Sequence, residues 1–250
     1  MLTLAAVLVL IYLGVCAALF AFQRSLIYVP QSRSTENTAP TITLSVQGAE
    51  VLVTTRQRPT SDALIYFGGN AEDVSYSLPD LAAAFPKRAL YLMNYRGYGG
   101  STGKPTETAL VADAVALFDK VQAEHKNVVV VGRSLGSGVA IQLASLRPVA
   151  RLVLVTPYDS IEELAAQRFR YFPVRWMLLD KFDSGKIAPR IAAPTLLIAA
   201  EHDEVIPRAS TEALFKRFRP RVATMSVVAD TGHNTISQSL DYLALLKGLP

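Results

Sequence analysis

The 250-residue chain reads as an α/β protein, a mostly parallel sheet covered by helices on both faces. Short apolar runs alternate with amphipathic helical patterns along most of its length. Those runs are apolar on both sides, as strands buried in a parallel sheet are. A charge-free stretch at residues 2–22 adds one long apolar helix ahead of this domain.

Residues 2–22 (LTLAAVLVLIYLGVCAALFAF) carry no charged side chain. As a helix they extend about 30 Å, the thickness of a bilayer's hydrocarbon core. A cleaved signal peptide would show a basic segment before the apolar run and a clean small-residue site before Gln23; neither is present. Val15 before Cys16 argues against a lipoprotein signal. The sequence therefore predicts a retained single-pass anchor over residues 1–23 and one domain over 24–250. Arg24 and Arg33 follow the span and by charge counting put the domain in the cytoplasm, but two arginines leave the side of the membrane open.

The domain is long enough to bury a full core without staples. Cys16 is the only cysteine, so there is no intramolecular disulfide, and beyond the apolar stretch no thiol nucleophile or cysteine metal site. The net charge of +4 comes from scattered residues with no basic run. Nucleic acid is thus not an expected partner, while mild attraction to anionic lipid is compatible with the charge.

Residues 26–29 and 41–46 alternate as short strands, joined by the polar segment PQSRSTENTAP. Residues 50–56 read as a strand, and ALIYF at 63–67 as an apolar strand stopped by Gly68-Gly69. A helix is expected at 77–85, then a strand at 89–94 ending in a glycine-rich turn. Residues 107–124 carry Leu110, Val111, Ala114, Leu117, Phe118 and Val121 on one helical face. The valine run 128–131 is a strand, followed by a helix at 134–146. Strands at 152–155, 195–199 and 223–228 and helices at 211–218 and 236–246 complete the pattern. Residues 157–194 are too long for a simple connection. Their run RFRYFPVRW mixes aromatic and basic side chains, which predicts a lid over about 158–192 that also supplies a crossover helix.

The valine strand runs straight into Gly132-Arg133-Ser134-Leu135-Gly136. A strand-to-helix turn this tight strains the residue between, and glycines on either side leave room for it. The turn lifts the Ser134 hydroxyl above the carboxyl end of the sheet at a helix N-terminus, so Ser134 is the predicted nucleophile. A serine needs a base. Of three histidines, His125 ends an exposed helix and is expected at the surface, and His202 follows a strand. His233, in the loop DTGHNT after the last strand, can reach across the sheet end and is the expected base. Asp203, in EHDEVIP, is favoured as the acid orienting it. Asp159 in TPYDS is the competitor; Asp230, three residues from His233, is expected to shape that loop, and Glu201 and Glu204 flank Asp203 closely enough to be mistaken for it. The oxyanion donors expected are the backbone N–H groups of Leu135 and, from the turn FGGNAED, Asn70. No metal or organic cofactor is needed.

These segments together resemble the α/β-hydrolase-fold serine hydrolases, most of all the membrane-anchored group related to the fungal bud-emergence protein and to animal depalmitoylating and lysophospholipid-cleaving hydrolases. The resemblance spans FQRSLIYVP, FGGNAED, NYRGYGGSTGKPTE, GRSLGSG, FPVRWMLLDKFDS, HDEVIP and GHN, nearly the whole chain. It implies Ser134, Asp203 and His233 as a triad cleaving an ester or thioester, of an acyl-lipid or acyl-protein if the anchor is informative. An amidase or aminopeptidase on the same triad, or a non-catalytic binding protein of this fold, are the alternatives. The family often has His-Gly where this chain has Gly68-Gly69. Arg96 is expected to anchor its loop through backbone carbonyls, and Arg133 is a second cation near the site.

Overall fold

The computed structural model describes residues 2–34 and 38–248. The first helix, α1 (Leu2–Ile27), is long and apolar enough over Thr3–Ile27 to cross a membrane, with a mean hydropathy of 2.7. It runs past the expected end at residue 23. The strand expected at 26–29 is the last turn of α1 and its exit, where the Tyr28 N–H donates to the Arg24 carbonyl at 2.8 Å. Four residues of alternation cannot separate strand from helix. The Asn70 side chain fixes this exit: its Nδ2 donates to the Ile27 carbonyl (2.7 Å) and its Oδ1 accepts from the Val29 N–H (2.9 Å).

Eight strands follow: β1 (Thr41–Val46), β2 (Ala49–Arg56), β3 (Asp62–Phe67), β4 (Ala89–Met93), β5 (Asn127–Arg133), β6 (Arg151–Val155), β7 (Thr195–Ala200) and β8 (Ala223–Val228). They form one sheet in the order β1-β2-β4-β3-β5-β6-β7-β8. The β1–β2 hairpin is antiparallel and also meets β4 antiparallel; every other pairing is parallel. Helices α2 (Leu78–Ala84), α3 (Glu107–Glu124), α4 (Leu135–Leu146), α5 (Ile161–Arg168), α6 (Val174–Met177), α7 (Ser184–Ile187), α8 (Arg208–Arg217) and α9 (Leu240–Lys247) complete it.

Alternate residues of each central strand serve opposite faces, so both must be apolar. Ile65, Val130 and Leu154 pack with Leu117 and Phe118 of α3 and Ile141 of α4. Leu64, Val129 and Val153 pack with Leu81 of α2 and Leu246 of α9. The helix expected from 236 divides: a 3-10 turn ends at Gln238, and Ser239 then caps α9 by accepting from the Asp241 N–H. The insertion between β6 and β7 folds as α5, α6 and α7 with a 3-10 turn.

Candidate active site

Gly132 and Gly136 show why the turn after β5 needs its glycines. A Cβ at Gly136 would overlap the Phe67 carbonyl of neighbouring β3, and one at Gly132 would overlap the Gly136 carbonyl. Between them Ser134 takes φ 50° and ψ −118°, with its N–H held by the Val155 carbonyl at 2.9 Å. Its hydroxyl therefore stands clear of both β5 and α4.

The residues expected to act together stand in line. His233 Nε2 lies 3.0 Å from Ser134 Oγ, and His233 Nδ1 lies 2.9 and 3.0 Å from the two Asp203 carboxylate oxygens. The His233 and Asp203 side chains are only 7% and 4% exposed. Asp203 is itself oriented by the N–H groups of Val205 (2.9 Å) and Ile206 (2.7 Å), both of which donate to Oδ1.

Asp159 is not part of this line. Burial raises its carboxyl pKa, Arg217 partly opposing this, and the guanidinium lies 3.7 Å away. Asp230 and Glu201 are exposed and bridge to one another, the Asp230 N–H donating to Glu201. Glu204 has a different job: its carboxylate accepts the His233 N–H at 3.0 Å, a bond that lowers its pKa. His125 is not at the surface. It is buried, with one ring nitrogen 3.0 Å from the Tyr91 hydroxyl and the other 2.7 Å from the Thr60 carbonyl. The end of α3 tucks under the β2–β3 loop, which a helical pattern alone does not reveal. Glu201, His202 and Asp230 bring ligand atoms within 4.8 Å of one another, but all three are exposed.

A model of the alpha/beta hydrolase family matches residues 67–186. An uncharacterized protein of Mycobacterium tuberculosis is 32% identical over 248 residues, covering 92% of this chain and 86% of that one. The chain belongs to the alpha/beta hydrolase family. Among named relatives, the lysophosphatidylserine lipase ABHD12 of Xenopus tropicalis is 35% identical over 134 residues, 46% of this hydrolase and 35% of the relative. The Pyrococcus furiosus esterase Pf2001 superposes with a TM-score of 0.70 over 88% of this chain and 97% of its own, at 15% identity.

In this hydrolase the turn after β3 faces Ser134. Leu135 opens α4, so its N–H has no acceptor within the helix. Asn70 lines the same cavity as Ser134 and Leu135. Its side chain is engaged elsewhere: besides α1, Oδ1 accepts from the Tyr98 hydroxyl at 2.8 Å.

A side chain at Gly68 would meet Val74 at 2.5 Å and Glu72 at 3.1 Å, so a histidine there would require Val74 to move. Glu72 supports the turn instead. It accepts from the Gly69 N–H (2.6 Å) and from the hydroxyls of Tyr66 (2.7 Å) and Ser77 (2.8 Å), and pairs with Arg133 at 3.0 Å. Arg133 also donates to the His233 carbonyl at 3.3 Å, so one partly buried pair ties the two loops together. Sequence reasoning missed Glu72, although its position in FGGNAED was visible.

The YRGYG element works through its tyrosines. Tyr95 donates to the Gly68 carbonyl at 2.7 Å and Tyr98 to Asn70, so both hold the turn facing Ser134. Arg96 does anchor the loop, but through the Asp113 carboxylate of α3, with two bonds of 2.7 Å, and not through carbonyls.

An apolar cavity of about 450 Å³ opens from Ser134. Its floor is Ser134 and Leu135, one side is the insertion after β6, and the other is α1.

Proposed function

We propose that this protein is a membrane-anchored serine hydrolase that cleaves an ester or thioester of an acyl-lipid or acyl-protein. The observation that carries this reading is the Ser134–His233–Asp203 line, with contacts of 3.0 and 2.9 Å, at the mouth of an apolar cavity. Asp203 holds the Nδ1–H of His233, leaving Nε2 free to take the Ser134 proton as Oγ attacks the carbonyl carbon. The oxyanion formed is met by the N–H groups of Leu135 and Asn70. The tetrahedral adduct collapses, His233 gives its proton to the departing alcohol or thiol, and Ser134 keeps the acyl group. Water, deprotonated by His233, then attacks the acyl-enzyme; Ser134 regains its proton and the carboxylic acid leaves.

The substrate class is supported by the apolar lining, by the length of α1, and by the likeness to a lysophosphatidylserine lipase, ABHD12. The insertion over residues 158–192 serves as the lid, and α1 as the single-pass anchor of the domain over 24–250. The test is a fluorophosphonate probe on the full chain. Wild type is expected to label at Ser134, and Ser134→Ala to lose labelling and at least about 10³-fold of its hydrolysis rate. Equal labelling of both proteins would overturn the mechanism.

A further inference from the structure

Five residues of α1 line the cavity: Leu19, Phe20, Gln23, Leu26 and Ile27. Their spacing puts them on one face of the helix. Opposite them stand Leu164, Phe169 and Phe172 of the lid. The anchor therefore does more than tether the domain. It closes a space that the domain alone leaves open.

The closure is bonded, not incidental. Gln23 is buried; its Nε2 donates to the Phe20 (2.9 Å) and Met177 (3.2 Å) carbonyls, and its Oε1 accepts from the Leu179 N–H (2.7 Å). Arg24 pairs with Asp180 at 3.0 Å, and the Tyr28 hydroxyl donates to the same carboxylate at 3.1 Å. Higher up, Tyr12 stacks on Phe172 at 5.6 Å and donates to the Tyr171 carbonyl at 3.0 Å. With the Gln23 amide spent on protein partners, this wall offers no polar group to a ligand. The shape and chemistry suit a linear hydrocarbon chain.

Residues 2–11 of α1 lie beyond the Tyr12 contact, and at 1.5 Å per residue they cover only about 15 Å, half the hydrocarbon core. A helix that spans the bilayer must carry the lid contact into the lipid with it. The exposed Tyr171 and Trp176 of the lid, 73% and 91% accessible, are the side chains that favour such a boundary.

We propose that α1 is one wall of the acyl-binding site, and that a single acyl chain slides sideways from the bilayer between α1 and the lid to reach Ser134. This rests on Ser134 as the nucleophile, and the experiment separates the two claims. Full-length protein in phosphatidylcholine vesicles is assayed on p-nitrophenyl palmitate and p-nitrophenyl butyrate, with diisopropyl fluorophosphate labelling of Ser134 measured alongside. Leu19→Trp, which fills the wall, is expected to lower the palmitate-to-butyrate rate ratio by about tenfold or more. Phe22→Trp, on an exposed position outside the cavity lining, is expected to leave the ratio alone. If Leu19→Trp loses labelling because it misfolds, Leu26→Ala removes bulk from the same wall and is expected to shift preference to longer chains. Variants that label normally with an unmoved ratio overturn the wall. Absence of labelling in wild type overturns the nucleophile instead.

Discussion

Ser134 occupies a backbone region that costs an ordinary residue roughly 1–3 kcal/mol. The Val155 hydrogen bond and the packed start of α4 hold it there. Such a position was legible because valines, glycines and a serine in that order leave few other folds. His233 and Asp203 were legible from their places after the last two strands. Glu72 and His125 were not, since their partners arrive from distant segments and no local pattern announces a partly buried ion pair or a buried imidazole. The choice between acids makes a direct test. Asp203→Asn is expected to reduce kcat by about 10⁴-fold, by leaving His233 in the wrong tautomer. Asp159→Asn, which touches neither, is expected to keep activity close to wild type in a steady-state ester assay. The reverse pattern would return the role to Asp159.

The reading was best where a pattern was long and unbroken, as at α3, whose eighteen residues match expectation end to end. Errors fell at short stretches and ends. Residues 26–29 became the end of α1 and its exit, held by the Asn70 side chain from across the fold, bonds no propensity contains. Ser239 split the last helix because its side chain caps α9 better than it continues a turn. The β5–α4 junction also depends on distance between neighbours: β3 passes so close that only hydrogen fits at Gly136. Gly136→Ala is expected to cost about 3 kcal/mol, the upper end for overpacking, because the obstacle is backbone and cannot rotate away. Urea titration followed by far-ultraviolet circular dichroism measures it, and a variant of wild-type stability would mean that α4 can shift.

Buried tyrosines contribute to the response of the molecule to alkali. Burial pushes Tyr98 from its ordinary value of 10 up to about 12, and it also raises Tyr66, Tyr95 and Tyr158 well above that ordinary value. A raised folded-state pKa favours the neutral phenol in the native protein. The stability this gives is complete below pH 10 and falls as pH rises through about 12 for Tyr98. Denaturant midpoints are expected to drop steeply across that interval, and Tyr98→Phe to make the drop shallower while removing the bond to Asn70. An unchanged slope would show that Tyr98 does not contribute.

On the proposed membrane-anchored reading, the position of α1 also determines how products part. A chamber with protein on one side and a bilayer helix on the other would open both to water and to lipid. The polar fragment can diffuse away into water while the freed fatty acid stays in the leaflet from which it came. Inhibition by the acid then follows its mole fraction in the membrane, not its concentration in solution.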